Sequence, residues 1–454
     1  MYIEVLENRT LLAGVTILTH GDAGNITGWI AATADDIQQR LGGTSAASEY
    51  VMKVGSDGVE SFKLESGNRP FDQTSKAEAI IKLDWSSIAD TSHFTADVAS
   101  TVADYLLTSH TGVPDFTQLP FHLIGHSRGA SLMVALSYDL GRRGIWVDQV
   151  TNLDPHPIPS FSIPFVGSFG DADMKTYQNV IFADTYYRNG GSDIIDPHGQ
   201  KVDGSFNANL NNSVQKTHEF SAHMSVTAYY DGTVNLKAID DNDALIHSSW
   251  YDHSADKPPR NRTGFYFSQA AGGERPMSGV SSAFGGKADR SSVKRKGTQY
   301  ANIINARIVG TVTVATHQRV TFKAIYNDSD SAAKVTFFLD KDQNPYNGSA
   351  RVFSTKRVSA SSDPHSVLMS AKVTGIGAGI YYLGTKITDA NGHVRYTYGA
   401  HAVRVKHAAK RTTSAVAAGD APSDLWYGGP DPARTAATDR EHRRGNSDQP
   451  LDVL

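Results

Sequence analysis

From residue 14 to about 250 the chain alternates short, β-branched apolar runs with stretches whose apolar residues return about every 3.6 positions. The first kind reads as buried strands: "GVTILTH" (14–20), "EAIIKLDW" (78–85), "FHLIG" (121–125), "VDQVTNLDP" (147–155) and "NVIFADTYY" (179–187). The second kind reads as helices over 27–41, 95–110 and 131–144, and "GVESFKLESG" (58–67), bounded by glycines, reads as part of a hairpin. The resulting order of β, α, β, α, β, α, β, β is that of a mostly parallel sheet flanked by helices, an α/β fold.

The texture changes twice further on. Residues 252–297 are rich in glycine, serine, proline and charge, as a long connection would be, with an aromatic "GFYF" expected to dock on the first domain. From about 301, period-two runs are divided by Asn-Asp, Asn-Gly and Gly turns, the pattern of an antiparallel β-sandwich of about a hundred residues. The expected organisation is a short segment at 1–13, an α/β domain over 14–297 that includes a Gly/Ser-rich linker from about 270, a sandwich over 301–406, and a disordered tail over 407–454 that has few apolar anchors.

Composition narrows the function classes. A net charge of −4 with 20% charged residues excludes the basic surplus of a nucleic-acid-binding chain, and the absence of cysteine excludes disulfides, thiol nucleophiles and thiolate metal sites. No stretch approaches the 18 or so consecutive apolar residues of a membrane-crossing helix.

One stretch carries chemistry. In "FHLIGHSRGASLMVAL" (121–136) a strand ends and a helix begins around Gly125-His126-Ser127-Arg128-Gly129, a G-x-S-x-G turn that lifts a serine hydroxyl above the sheet edge at a helix N-terminus. A serine of ordinary acidity needs a base and the base an orienting acid, in the chain order Ser, acid, His. Asp154 in "LDP" stands where a strand leaves the sheet. Downstream, His223 precedes a helix-like run, with His218 its close competitor. Asp184 in "VIFADTYY" is an alternative acid, followed by Asp193 and Asp196. His20-Gly21, closing the first strand, is placed to complete an oxyanion site whose backbone donors would be Asp22 and Arg128.

These segments resemble the α/β-hydrolase superfamily, and within it the pancreatic-lipase-like branch. The resemblance covers about residues 14–235: a His-Gly loop with downstream Trp29, a strand ending Leu83-Asp84-Trp85, the Gly-His-Ser-x-Gly elbow, Leu-Asp-Pro at 153–155, and His223 followed by Ser225 and Tyr229-Tyr230. It implies Ser127 as nucleophile, His223 as general base and then acid, and Asp154 as the group that orients the imidazole. Three departures stand out: no cysteine to close a lid, Arg128 where the branch has leucine, and Asp22 beside the oxyanion loop, where a carboxylate would repel an anionic intermediate unless it faces solvent. The second domain is similar to the immunoglobulin-like or fibronectin-like modules of secreted bacterial enzymes. Within it Asp340, Asp342 and Asn344 begin a calcium-loop pattern, but Pro345 replaces the turn glycine and no glutamate follows, so a polar hairpin is expected.

The expectation is a serine esterase or lipase-like hydrolase without cofactor or metal, acting on small-molecule or lipid esters, its sandwich providing attachment to a surface or matrix. The alternative is a surface-associated binding protein on an idle hydrolase fold. "VLENRTLLAG" resembles an LExRxLL motif found near the start of many secreted or surface-associated bacterial proteins, which gives a secreted or cell-surface location as the expectation.

Overall fold

A computed structural model describes residues 14–67, 78–89, 93–111, 113, 115–159, 161–163, 167–189, 198–214, 222–238, 246–251, 254, 257–276, 289–328 and 330–408. The segment 1–13, His218, Asp193, Asp196 and nearly all of the tail lie outside these residues.

The first part of the chain runs β1 (Val15–Thr19), α1 (Trp29–Arg40), β2 (Ala47–Gly55), β3 (Gly58–Ser66), β4 (Glu78–Asp84), α2 (Thr95–Leu107), β5 (Phe121–His126), α3 (Arg128–Arg142) and β6 (Val147–Leu153). It continues with a small hairpin, β7 (Phe161–Ile163) and β8 (Gly167–Phe169), then β9 (Val180–Tyr187), β10 (Phe206–Asn209) and α4 (Ala222–Val234). Eight strands form one sheet in the order β10-β9-β6-β5-β1-β4-β2-β3, parallel throughout except for the antiparallel edge pair β2–β3. Its central strands are buried on both faces, which is why β1 and β5 read as largely apolar runs rather than as alternation, and β6, VDQVTNL, is just as buried although it carries Asp148, Gln149, Thr151 and Asn152. Residues of α2 and α3 pack into the core on one face, with Val98, Val102, Leu132 and Leu136, and residues of α1 and α4 into the other, with Ile30, Ile37, Val226 and Tyr229.

Besides the β7–β8 hairpin, two strands of the large sheet were not expected from the pattern. β2, "ASEYVMKVG", is interrupted by Glu49 and Lys53, and β10 is a four-residue edge strand. Glu49 is nonetheless buried, because Lys82 of β4 donates to its Oε2 at 2.9 Å. The aromatic run expected to dock does so: Phe265 is fully buried against the α1–α4 face, and Ala270 and Ala271 join the same cluster.

The second part forms β11 (Asn302–Val309), β12 (Thr313–Ala315), β13 (Arg319–Asp328), β14 (Ala333–Asp340), β15 (Arg351–Val358), β16 (Ser361–Lys372), β17 (Gly379–Thr388) and β18 (Val394–Lys406). They make a three-stranded sheet, β11-β13-β16, and a five-stranded sheet, β12-β18-β17-β14-β15, around one apolar core that includes Phe322, Phe337, Leu383 and Val403. One pairing departs from the antiparallel expectation: the short edge strand β12 runs parallel to β18. Asp340, which ends β14, and Asp342, in the turn after it, both accept from side chains, Tyr398 of β18 donating to Asp340 Oδ2 at 2.7 Å and Ser349 Oγ to both carboxylates. That is the polar hairpin the sequence predicts.

The β-sheets of the second part are anchored to the first by polar groups. The buried Arg395 guanidinium of β18 donates to the carbonyl oxygens of Thr117 at 2.6 Å and Trp146 at 3.1 Å, and Asn302 Oδ1 accepts from Trp146 N at 3.0 Å.

Candidate active site

The site is assembled at the carboxyl ends of β1, β5 and β6, the edge where ligands bind in open parallel sheets. At the end of β5 the chain turns directly into α3 through Ser127, whose backbone is held at φ 58° and ψ −126°. A non-glycine residue at positive φ is strained and persists only where its surroundings enforce it. Here the glycines on either side do so. A Cβ at position 125 would collide with the Gly129 carbonyl, and one at 129 would collide with the His20 carbonyl, so only glycine permits strand, helix and β1 to meet so closely. Ser127 N donates to Leu153 O at 2.9 Å, which locks the turn onto β6. Arg128 is the first residue of α3, so its N–H has no intrahelical acceptor.

β6 delivers the acid. Asp154, also at positive φ (43°), is wholly buried directly after the strand. Its Oδ2 accepts from His223 Nδ1 at 2.6 Å and its Oδ1 from Arg188 N at 2.6 Å. The imidazole therefore presents Nε2 as its lone-pair nitrogen. His223 lies inside the first turn of α4 rather than ahead of a helix as expected, because the helix begins one residue earlier, at Ala222. A second imidazole supports it: His126 Nε2 is 3.2 Å from the His223 carbonyl oxygen, with the two rings 4.4 Å apart. Burial, reinforced by the neighbouring His223, holds His126 well below the usual histidine range, so it stays neutral and donates this hydrogen bond.

Asp184 stands elsewhere. It is paired in register with Thr151 in the middle of the sheet, and its Oδ1 accepts from Thr151 Oγ1 at 2.6 Å and Gln149 Nε2 at 3.1 Å. Burial pushes it up to about 6.

On the opposite side of Ser127, Gly21 lies so near that a Cβ there would come within 2.6 Å of Ser127 Cβ and 2.9 Å of its Oγ. The Gly21–Asp22 peptide thus flanks the hydroxyl. His20, which leads into it, is held by Trp85, whose Nε1 donates to the His20 carbonyl at 3.1 Å while the rings stack at 5.8 Å. The Asp22 carboxylate is 60% exposed, with Arg128 Nη1 4.0 Å away, which answers the objection that it would repel an anion.

The Arg128 side chain is the functional feature that sequence reasoning missed. Its guanidinium is buried, donates from Nε and Nη2 to the two oxygens of Asp171 at 2.8 and 3.0 Å, reaches the carbonyls of Ala89 and His93, and lies over the Trp85 ring. Asp171 also accepts from Thr95 N at the start of α2 and from Ile158 N in the cavity wall. One ion pair thus ties the serine turn to α2 and to the loop after β6. A signal existed: an arginine within an apolar elbow requires a buried counter-charge. Replacing Asp171 by alanine leaves the guanidinium buried and uncompensated, and is expected to cost about 3–5 kcal/mol of unfolding free energy, measurable by urea denaturation.

Ser127 and His223 line a cavity of about 1090 Å³ together with His20, Gly21, His156 and Arg128 and with the apolar side chains of Trp29, Ala32, Met224, Ala228 and Ile246. Among the described residues no group of three His, Asp or Glu could hold a metal ion, and no helix is long and apolar enough to cross a membrane.

No family model and no curated protein matches the chain. Among solved structures, a protein of Lactobacillus plantarum provisionally named a cell surface hydrolase is 10% identical, aligning with 50% of this chain and 94% of its own at a TM-score of 0.30. OgpA of Akkermansia muciniphila, in a catalytically inactive form with an O-glycopeptide, is 8% identical over 87% of this chain and 95% of its own, at 0.19. A CARDB domain of Pyrococcus furiosus is 12% identical over 24% of this chain and 90% of its own, at 0.17. Likenesses at these scores assign neither family nor activity, so the functional reading rests on the site itself.

Proposed function

We propose that the protein is a serine hydrolase of carboxylic esters, built on an α/β-hydrolase-type domain over 14–297, with the sandwich over 301–406 serving to attach it to a surface or matrix outside the cell. The observation that carries this reading is the 2.6 Å bond from His223 Nδ1 to buried Asp154, set on the same cavity as a serine held at positive φ. A strained serine, a buried acid and an imidazole oriented by it form a set that a binding scaffold has no need to keep.

In this mechanism His223 Nε2 removes the Ser127 proton as Oγ attacks the ester carbonyl. The N–H groups of Asp22 and Arg128 receive the developing oxyanion, helped by the positive end of the α3 dipole. Asp154 stabilises the imidazolium, which then protonates the departing alcohol and leaves an acyl group on Ser127. Water, deprotonated by His223, releases the acid and restores the serine. The apolar arm of the cavity suits an acyl chain, which extends the substrate class to lipid esters.

The test is a panel of p-nitrophenyl esters from acetyl to long acyl chains, run with the full chain beside labelling by a fluorophosphonate probe. Turnover together with labelling is the expected result. A folded protein that neither turns over an ester nor takes up the probe is an idle scaffold, and the reading fails.

A further inference from the structure

The sandwich carries a charge that the whole chain conceals. Residues 301–406 hold 13 lysines and arginines against six aspartates and no glutamate, an excess of seven positive charges within a chain whose net charge is −4. Three of those aspartates, Asp328, Asp340 and Asp389, are buried, whereas Arg395 is the one buried cation among the described residues of this range. The surface is therefore more basic than the count.

Strand register gathers four of the cations on the outer face of the three-stranded sheet. Arg307 of β11 stands directly opposite Lys323 of β13, and Arg319 of β13 directly opposite Lys372 of β16. Arg307, Arg319 and Lys372 are exposed and Lys323 is half-buried, while the alternate positions Ile308, Val320, Phe322 and Ala324 turn into the core. Like charges directly opposite one another destabilise a sheet. Nothing in the fold relieves them: the face between them carries Val309, Thr321, Leu368 and Ser370, and none of the four cations has a carboxylate partner among the described residues. A cation cluster kept at a cost to the fold suits an anion supplied from outside.

The two cation pairs lie four residues apart along β13, about 13 Å at 3.3 Å per residue. Between them the hydroxyls of Thr321 and Ser370 stand 2.7 Å apart. The face also has room, because Asn302 at the start of β11 contacts Trp146 of the α/β domain whereas Arg307 and Val309 lie toward the other end of that strand. An extended polymer with carboxylates along its sugars meets both pairs at once, and its hydroxyls find Thr321 and Ser370 between them. A bilayer matches less well. Val309 and Leu368 are the exposed apolar side chains here, with no tryptophan or tyrosine to sit among headgroups.

We infer that the outer face of the β11-β13-β16 sheet is an interaction surface for an acidic polysaccharide, whose carboxylates pair with Arg307, Lys323, Arg319 and Lys372. The inference rests on reading the sandwich as an attachment module and names what it attaches to.

The experiment measures binding of the full chain to immobilised polygalacturonate over a range of salt, beside neutral dextran, phosphatidylglycerol vesicles and duplex DNA. Binding to polygalacturonate that weakens as salt rises, with none to dextran, is the expected result. The double variant Lys323→Glu/Lys372→Glu should weaken it by about tenfold or more. Its melting temperature should hold or rise, because each new carboxylate stands opposite an arginine, and that outcome separates a binding face from a structural one. Lys334→Glu/Lys386→Glu changes the net charge equally on the outer face of the five-stranded sheet and should leave binding within about twofold. Should the first double variant fail to fold, Lys323→Gln/Lys372→Gln makes the same comparison. Equal weakening by the two pairs, undiminished binding in the Lys323 and Lys372 variant, or no binding of the wild type to polygalacturonate overturns the inference. Tighter binding to vesicles or DNA at the same salt also overturns it but leaves the attachment reading standing, whereas a wild type that binds none of the probes removes both.

Discussion

Ser127→Ala is expected to lower ester turnover by about 10⁶, to the level left by binding and oxyanion stabilisation, because in a serine hydrolase loss of the nucleophile alone costs nearly as much as loss of the whole triad. The substitution removes one hydroxyl from a residue whose backbone makes the hydrogen bonds that hold the turn, Ser127 N to Leu153 O and His156 N to Ser127 O. Its alanine variant keeps the positive φ and its strain, so circular dichroism and the melting temperature should match the wild type. A folded Ser127→Ala protein that hydrolyses esters at the wild-type rate removes the enzymatic reading altogether.

The second large effect separates the two acids. Asp154→Asn keeps an oxygen for Arg188 N but turns an amide toward His223 Nδ1, which favours the wrong tautomer and places the proton on the nitrogen that must act as base. The loss is expected to be about 10⁴ in kcat, the magnitude seen for that change in the serine-protease template. Asp184→Asn should change kcat little, since Asp184 is held by Thr151 and Gln149. Its effect belongs to stability. The folded value of Asp184, raised by burial from 3.8 to about 6, means that the native state holds this proton more tightly than the unfolded chain does. The group therefore costs stability progressively as pH rises from about 4 through 6, and the cost is fully present above that window. Asp184→Asn should accordingly raise the melting temperature more at pH 7 than at pH 4. A large kinetic loss at Asp184 with a near-normal rate at Asp154 would reverse the assignment of the acid.

The sequence was most informative where burial leaves one choice of residue. β1, β4, β5, β6 and β9 are buried strands, and each was placed within about two residues. The elbow was legible for the same reason: Gly125 and Gly129 are required by backbone contacts that no side chain survives, so the chemistry and the spacing coincide. What escaped was what depends on distant partners. β2 contains Glu49 and Lys53, and its strand character rests on a lysine more than thirty residues away that neutralises one of them. Arg128 read as a departure from a familiar pattern, and only Asp171, brought in by the loop after β6, turns it into a structural clasp.

The most direct test of the account is the location of the covalent intermediate. The full chain, treated with a fluorophosphonate and digested, should show by mass spectrometry a single stoichiometric adduct on the peptide that carries Ser127, and prior incubation with a substrate ester should slow its formation. An adduct on a different serine, or active ester hydrolysis with Ser127 unmodified at full inhibition, would contradict the assignment of Ser127 as the nucleophile.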